Sequence, residues 1–134
     1  MGAFYAESSH PLDAGEAARA FERLLASPAQ GCTFLAEEGE RSMGYVVLTW
    51  RYAMEHGGLS AYVDDLFVRP EFRRRGVAST LLDAVMSECA TRACRALHVE
   101  VGESNEPARR LYERYGLLPA ADGRILLGTV LHDE

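Results

Sequence analysis

The sequence has no lysine: all 14 basic residues are arginines, set against 20 aspartates and glutamates for a net charge of -6. So acidic a surface repels a phosphate backbone, which argues against a nucleic-acid partner. Cysteine is scarce. Cys32, Cys89 and Cys94 are odd in number and spaced neither as metal ligands nor as a disulfide framework, so they read as buried apolar residues of a reducing compartment, with no metal expected. No apolar run approaches membrane-spanning length. The opening residues "MGAFYAESSHPLD" lack the basic flank and apolar stretch of a signal peptide, and Ala6 stands where a myristoylation motif wants Ser or Thr. These absences predict a soluble, cytoplasmic protein with no membrane partner. At 134 residues the chain suits one domain, 1–134, able to bury about 65–70% of the surface its unfolded chain exposes.

What is present reads as alternating elements. "DAGEAARAFERLLA" (13–26) sets Ala17, Phe21, Leu24 and Leu25 on one helical face, with Ser27-Pro28 as its stop. "CTFLAEE" (32–38) and "SMGYVVLTWRY" (42–52) are β-rich runs that read as an antiparallel pair. "SAYVDDLFV" (60–68) is a further strand, ended by Pro70. Gly76 then opens a helix in which Val77, Leu81, Val85 and Cys89 recur every four residues. "RALHVEV" (95–101) returns as a strand, and "NEPARRLYERYG" (105–116) is a helix with Asn105 as N-cap and Gly116 as C-cap. "RILLGTVL" (124–131) is expected to be a last strand. The unit 60–101 should be a right-handed parallel crossover in an otherwise largely antiparallel α/β sheet.

Against the acidic background, four arginines fall between Arg69 and Arg75, directly before Gly76. A strand, an arginine loop and a helix start together present unpaired N–H groups and a positive dipole end, the ingredients of a phosphate seat. Arg73-x-x-Gly76-x-Ala78 is neither the lysine-bearing Walker A loop nor the dinucleotide G-x-G-x-x-G. A solvated basic loop is the plainer alternative.

"DDLFVRPEFRRRGVASTLL" resembles the acyl-CoA signature of the GNAT superfamily of N-acetyltransferases, [Arg/Gln]-x-x-Gly-x-[Gly/Ala], with its V-x-P-E-[FY]-R lead-in. "NEPARRLYERYGL" resembles that family's second motif, Asn-x-x-Ala-x-x-x-Tyr-x-x-x-Gly. In layout, residues 44–118 are similar to the diamine (spermidine/spermine-type) branch. The resemblance implies a mixed, mostly antiparallel sheet whose central parallel strand pair splays to admit acetyl-CoA, with helices on both faces. It places the cofactor diphosphate on backbone amides of Arg74, Arg75, Gly76, Val77, Ala78 and Ser79, with Arg73 as the signature residue. The pantetheine arm would lie along Leu66, Phe67 and Val68, and Asn105 and Ala108 would face the cofactor.

Tyr112 matches the tyrosine that protonates the departing thiolate; Tyr115 is the candidate for a core role. Asp64 matches an acidic residue of the diamine branch and is the candidate base, with Glu100 and His98 in reserve. Adjacent strand residues face opposite ways, so only one of Asp64 and Asp65 should touch substrate. The implied activity is acetyl transfer from acetyl-CoA to a primary amine, a small cationic amine or diamine, by direct attack in a ternary complex. A protein N-terminal or lysine acceptor is one alternative, and a CoA-binding regulatory domain without turnover is another. Many relatives pair as homodimers.

Overall fold

The computed structural model describes residues 19, 22–120 and 122–131, so most of the helix expected over 13–26 lies outside the described residues. Residues 22–25 of it are helical. Four strands form one sheet in the order β1 (Gly31–Glu38), β2 (Arg41–Ala53), β3 (Gly58–Val68), β4 (Ala96–Val99). β1–β2 and β2–β3 are antiparallel, and β3–β4 is parallel, as the crossover required. Helix α1 (Val77–Thr91) makes that crossover, and α2 (Glu106–Arg114) follows β4.

Alternation along the strands divides the apolar side chains between two faces. Val46 and Leu48 of β2 and Ala61 and Val63 of β3 pack with Val77, Leu81, Leu82 and Val85 of α1 and Leu111 and Tyr112 of α2. The four-residue repeat read from the sequence is the buried stripe of α1. On the opposite face Tyr45, Val47 and Phe67 form a smaller cluster against Leu24, so helical segments cover both faces.

The β2–β3 ladder slips at one place. Val47 pairs with Asp65 and Leu48 with Val63, which leaves Asp64 as the extra residue of a β-bulge. The parallel ladder to β4 ends beside it, at Val63↔Val99, while β3 runs on to Val68. A bulge bends its strand and increases local twist. It therefore carries β3 away from the neighbouring strand, and the two splay from Asp64 onward. This is also why β4 is shorter than the expected 95–101.

Three expectations are corrected. Residues 124–131 form no strand: Ile125, Leu126, Leu127, Val130 and Leu131 are 80–92% exposed. β-propensity describes fit to a packed, paired surface, and this segment has no such surface beneath it. Its start is tied down by Arg124, which bonds Asp122 at 3.0 Å and Glu55 at 2.9 Å. Among the described strands the parallel pair consequently sits at the sheet edge rather than its centre. The cysteines, expected to be buried, are half-buried.

The sheet's register rests on the α1 packing. Leu82 has no exposed surface, and Leu82→Ala should lower unfolding free energy by about 2–5 kcal/mol in urea denaturation, with an unchanged m-value.

Candidate active site

Gly76 precedes α1 in the left-handed conformation (φ 79°), and Arg74 is also left-handed (φ 64°). The first intrahelical bond is Thr80 N–H to the Gly76 carbonyl at 3.0 Å. The amides before it have no intrahelical acceptor, and no side chain caps the helix. A Cβ added at Gly76 would meet nothing within 4 Å, so the backbone there faces open space. These donors open onto a cleft of about 890 Å³. That volume lies in the usual range for small-molecule sites.

The cleft brings together nearly every residue singled out in the sequence. Asp64, Leu66, Phe67 and Val68 line it from β3; Arg73, Arg74, Gly76, Val77, Ala78 and Ser79 from the loop and α1; Asn105, Ala108 and Tyr112 from α2. Arg75 is not part of its lining: its guanidinium pairs with Glu38 at 3.0 Å and lies 5.1 Å from the Phe72 ring centroid. Arg73 does line the cleft, but its Nε donates to the Val68 carbonyl at 3.0 Å, tying the loop to the end of β3. The arginine stretch thus serves partly as scaffold. Sequence reasoning missed Arg114, a cation at the end of α2 that lines the same cleft. Its place three residues past Leu111, one turn further along α2, was the available signal.

Asn105 acts as the N-cap, accepting from Ala108 N–H at 3.3 Å. Tyr112 is buried, and burial followed by the charge of Asp65 pushes its phenol up to about 12. It stays protonated through neutral and mildly alkaline pH. Tyr115 packs half-buried against the core, as expected, and its hydroxyl has a further use. Its hydroxyl stands 2.9 Å from both the Ser79 carbonyl and Asp83 Oδ1, and its one proton serves either acceptor, bracing α2 against the first turns of α1.

The two aspartates differ as the bulge dictates. Asp64 is exposed in the cleft. Asp65 accepts the Tyr45 hydroxyl at 2.8 Å and is the carboxylate that acts on Tyr112. Of the reserve candidates, Glu100 lines the cleft. His98 does not; its Nδ1 lies 3.3 Å from the Ser60 hydroxyl, and burial lowers its pKa. Among the described residues, no group of three or more His, Cys, Asp or Glu is placed to hold a metal ion.

Comparison with known proteins fits this geometry. The Acetyltransferase (GNAT) family profile matches residues 3–117. The chain belongs to the GNAT family. A [ribosomal protein bS18]-alanine N-acetyltransferase of Salmonella typhimurium is 34% identical over 101 residues, covering 71% of this chain and 68% of that protein. A thialysine N-epsilon-acetyltransferase of Bos taurus is 28% identical over 79 residues, 59% of this chain and 46% of that protein. A Bacillus subtilis relative, 32% identical, is matched over only 39% of its length, so the chain spans less than half of two of these relatives. The crystal structure of integron cassette protein HFX_CASS3, from the mobile metagenome of Cole Harbour Salt Marsh, superposes with a TM-score of 0.83 at 40% identity, covering 100% of this chain and 82% of that one.

The brace makes a prediction. Tyr115→Phe should cost about 0.5–1.5 kcal/mol of stability, measured by thermal or urea unfolding, and should raise the flexibility of α2, measured as faster amide exchange at Leu111 and Tyr112.

Proposed function

We propose that this chain is an acetyl-CoA-dependent N-acetyltransferase acting on a primary amine. One observation carries the reading: the uncapped amides of α1, a protonated buried tyrosine and an exposed carboxylate open onto one cleft. Acetyl-CoA supplies the activated acetyl thioester. Its diphosphate suits the amides of Arg74 to Ser79, where open space at Gly76 lets a ligand approach the backbone. Arg73 is the signature residue there, the strand edge at Leu66, Phe67 and Val68 would flank the pantetheine arm, and Asn105 and Ala108 would face it from α2.

Tyr112 contributes a proton at the departing sulfur. With its pKa at about 12, complete transfer to a thiolate whose reference pKa is ~8.5 would be uphill by roughly 5 kcal/mol. Its main contribution is therefore a donated hydrogen bond, strengthening as charge develops on sulfur. Asp64 serves as the base. It is exposed in the cleft and reaches an ammonium directly or through one water, whereas Asp65 is already engaged by Tyr45. Asp65 fixes Tyr45 and helps keep Tyr112 protonated.

The carboxylates of the lining, Asp64, Asp65 and Glu100, lie on β3 and just after β4, away from the arginine loop, and they support a cationic acceptor, a small amine or diamine. A protein α-amine is the second reading, supported by the activity of the Salmonella relative. Thiol release measured with a panel of small amines and peptides separates them. Tight CoA binding without turnover on any amine would leave a non-catalytic CoA-binding domain.

Tyr112→Phe should lower kcat by roughly 10²–10³ with little change in the acetyl-CoA KM; an unchanged kcat would return Tyr112 to the core. Because Tyr112 holds its proton to about 12, the rate should rise with pH as the amine deprotonates, with no descending limb from this residue up to about pH 10. Asp64→Asn should depress kcat/KM for the amine and spare CoA affinity. A wild-type value on the best amine would remove Asp64 as the base.

A further inference from the structure

The two helices end in the same backbone motif built from different residues. At the end of α2, Leu117 N–H bonds the Tyr112 carbonyl and Gly116 N–H the Glu113 carbonyl, both at 3.0 Å, around a left-handed Gly116 (φ 86°). At the end of α1, Cys94 N–H bonds the Cys89 carbonyl at 2.9 Å and Ala93 N–H the Ala90 carbonyl at 3.1 Å, around Ala93 (φ 56°). This Schellman arrangement brings the side chain after the left-handed residue against the one five positions earlier. In α2 those are Leu117 and Tyr112, an apolar contact. In α1 they are two cysteines.

We propose that Cys89 and Cys94 are a reactive dithiol that closes to a disulfide under peroxide, a modification site at the junction of α1 and β4. Their backbones are held in contact by the motif, Cys94 is near enough to act on the Cys89 thiol, and both side chains are half-buried, so a small oxidant can enter. Cys32 on β1 is close enough to act electrostatically on Cys89, and Glu88 and Arg92 flank it.

The reaction balances with hydrogen peroxide as two-electron oxidant. The Cys94 thiolate attacks one peroxide oxygen, the O–O bond breaks, and sulfenic acid and water result after protonation. The Cys89 sulfur then attacks the sulfenic sulfur, forms the S–S bond, loses its proton and expels the second water. The order follows from Cys89, whose thiol is pushed up to about 12 by burial, then by the neighbouring Cys94, and so is not the first attacking thiolate at neutral pH. The closed ring clamps the left-handed Ala93 and the turn that feeds β4. It lies at the end of α1 opposite the uncapped amides and does not depend on the acetyltransferase reading.

The test treats the full chain with equimolar hydrogen peroxide, alkylates free thiols and maps tryptic peptides. Cleavage after Arg92 and Arg95 separates the two cysteines into different peptides, 76–92 and 93–95. The expected product is that pair joined by a bond that dithiothreitol reverses, with Cys32 alkylated. Cys32→Ser should form the same linked pair at the same rate, and amide exchange at 93–97 should slow in the oxidised protein. Three alkylated thiols, over-oxidation of separate cysteines, or linkage of Cys32 to Cys89 in the wild-type chain would each overturn the assignment.

Discussion

Backbone N–H groups at the start of α1 with no side-chain cap impose the constraint on which the site depends. Such donors are costly to strand and natural for an anion to occupy. Everything nearby keeps them open. Gly76 and Arg74 turn the chain through left-handed conformations, Arg73 pins the loop to the Val68 carbonyl, and Arg75 is drawn off toward Glu38. An acidic chain concentrates arginine here for two purposes: some of these side chains shape the loop, while Arg73 and Arg74 also face the cleft.

The bulge at Asp64 is the second determinant, and it acts on the sheet. By inserting one residue into β3 it ends the parallel ladder at Val63↔Val99 and opens the cleft between β3 and the chain that follows β4. The same insertion decides which aspartate does what. Asp64 goes to the cleft surface, and Asp65 turns to Tyr45 and the vicinity of Tyr112. A single extra residue thus sets both where the strands part and where the two carboxylates stand. α2 then depends on α1 through Tyr115, which reaches Ser79 and Asp83.

Much of this was legible in the residues. The four-residue spacing of Val77, Leu81 and Val85 announced the buried face of α1, and Asn105 and Gly116 marked the ends of α2 as N-cap and left-handed C-terminal residue. The two motifs located the cleft because the residues at its mouth are special backbone types. Other features were invisible for physical reasons. A bulge is a mismatch between two strands: the doublets of "VDDLF" break the alternation, but only the register of the partner strand says which aspartate is the extra residue. Arg75 and Tyr115 took partners 37 and 36 residues away along the chain, which no local pattern encodes. "RILLGTVL" carries β-propensity that its surroundings do not use, and Cys89 and Cys94 look unrelated until a Schellman turn folds one onto the other.

The central claim is that the amides of residues 74–79 and the edge of β3 beyond Asp64 receive an acyl-CoA. Titrating CoA into the isotopically labelled protein and following backbone amide resonances tests it directly. The account predicts that the largest shifts fall on residues 74–79, in the direction of stronger hydrogen bonding, with a second group at 66–68 and on the face of α2 that carries Asn105, Ala108 and Tyr112. Saturable binding whose largest shifts lie elsewhere, with the amides of 74–79 unmoved, would contradict it.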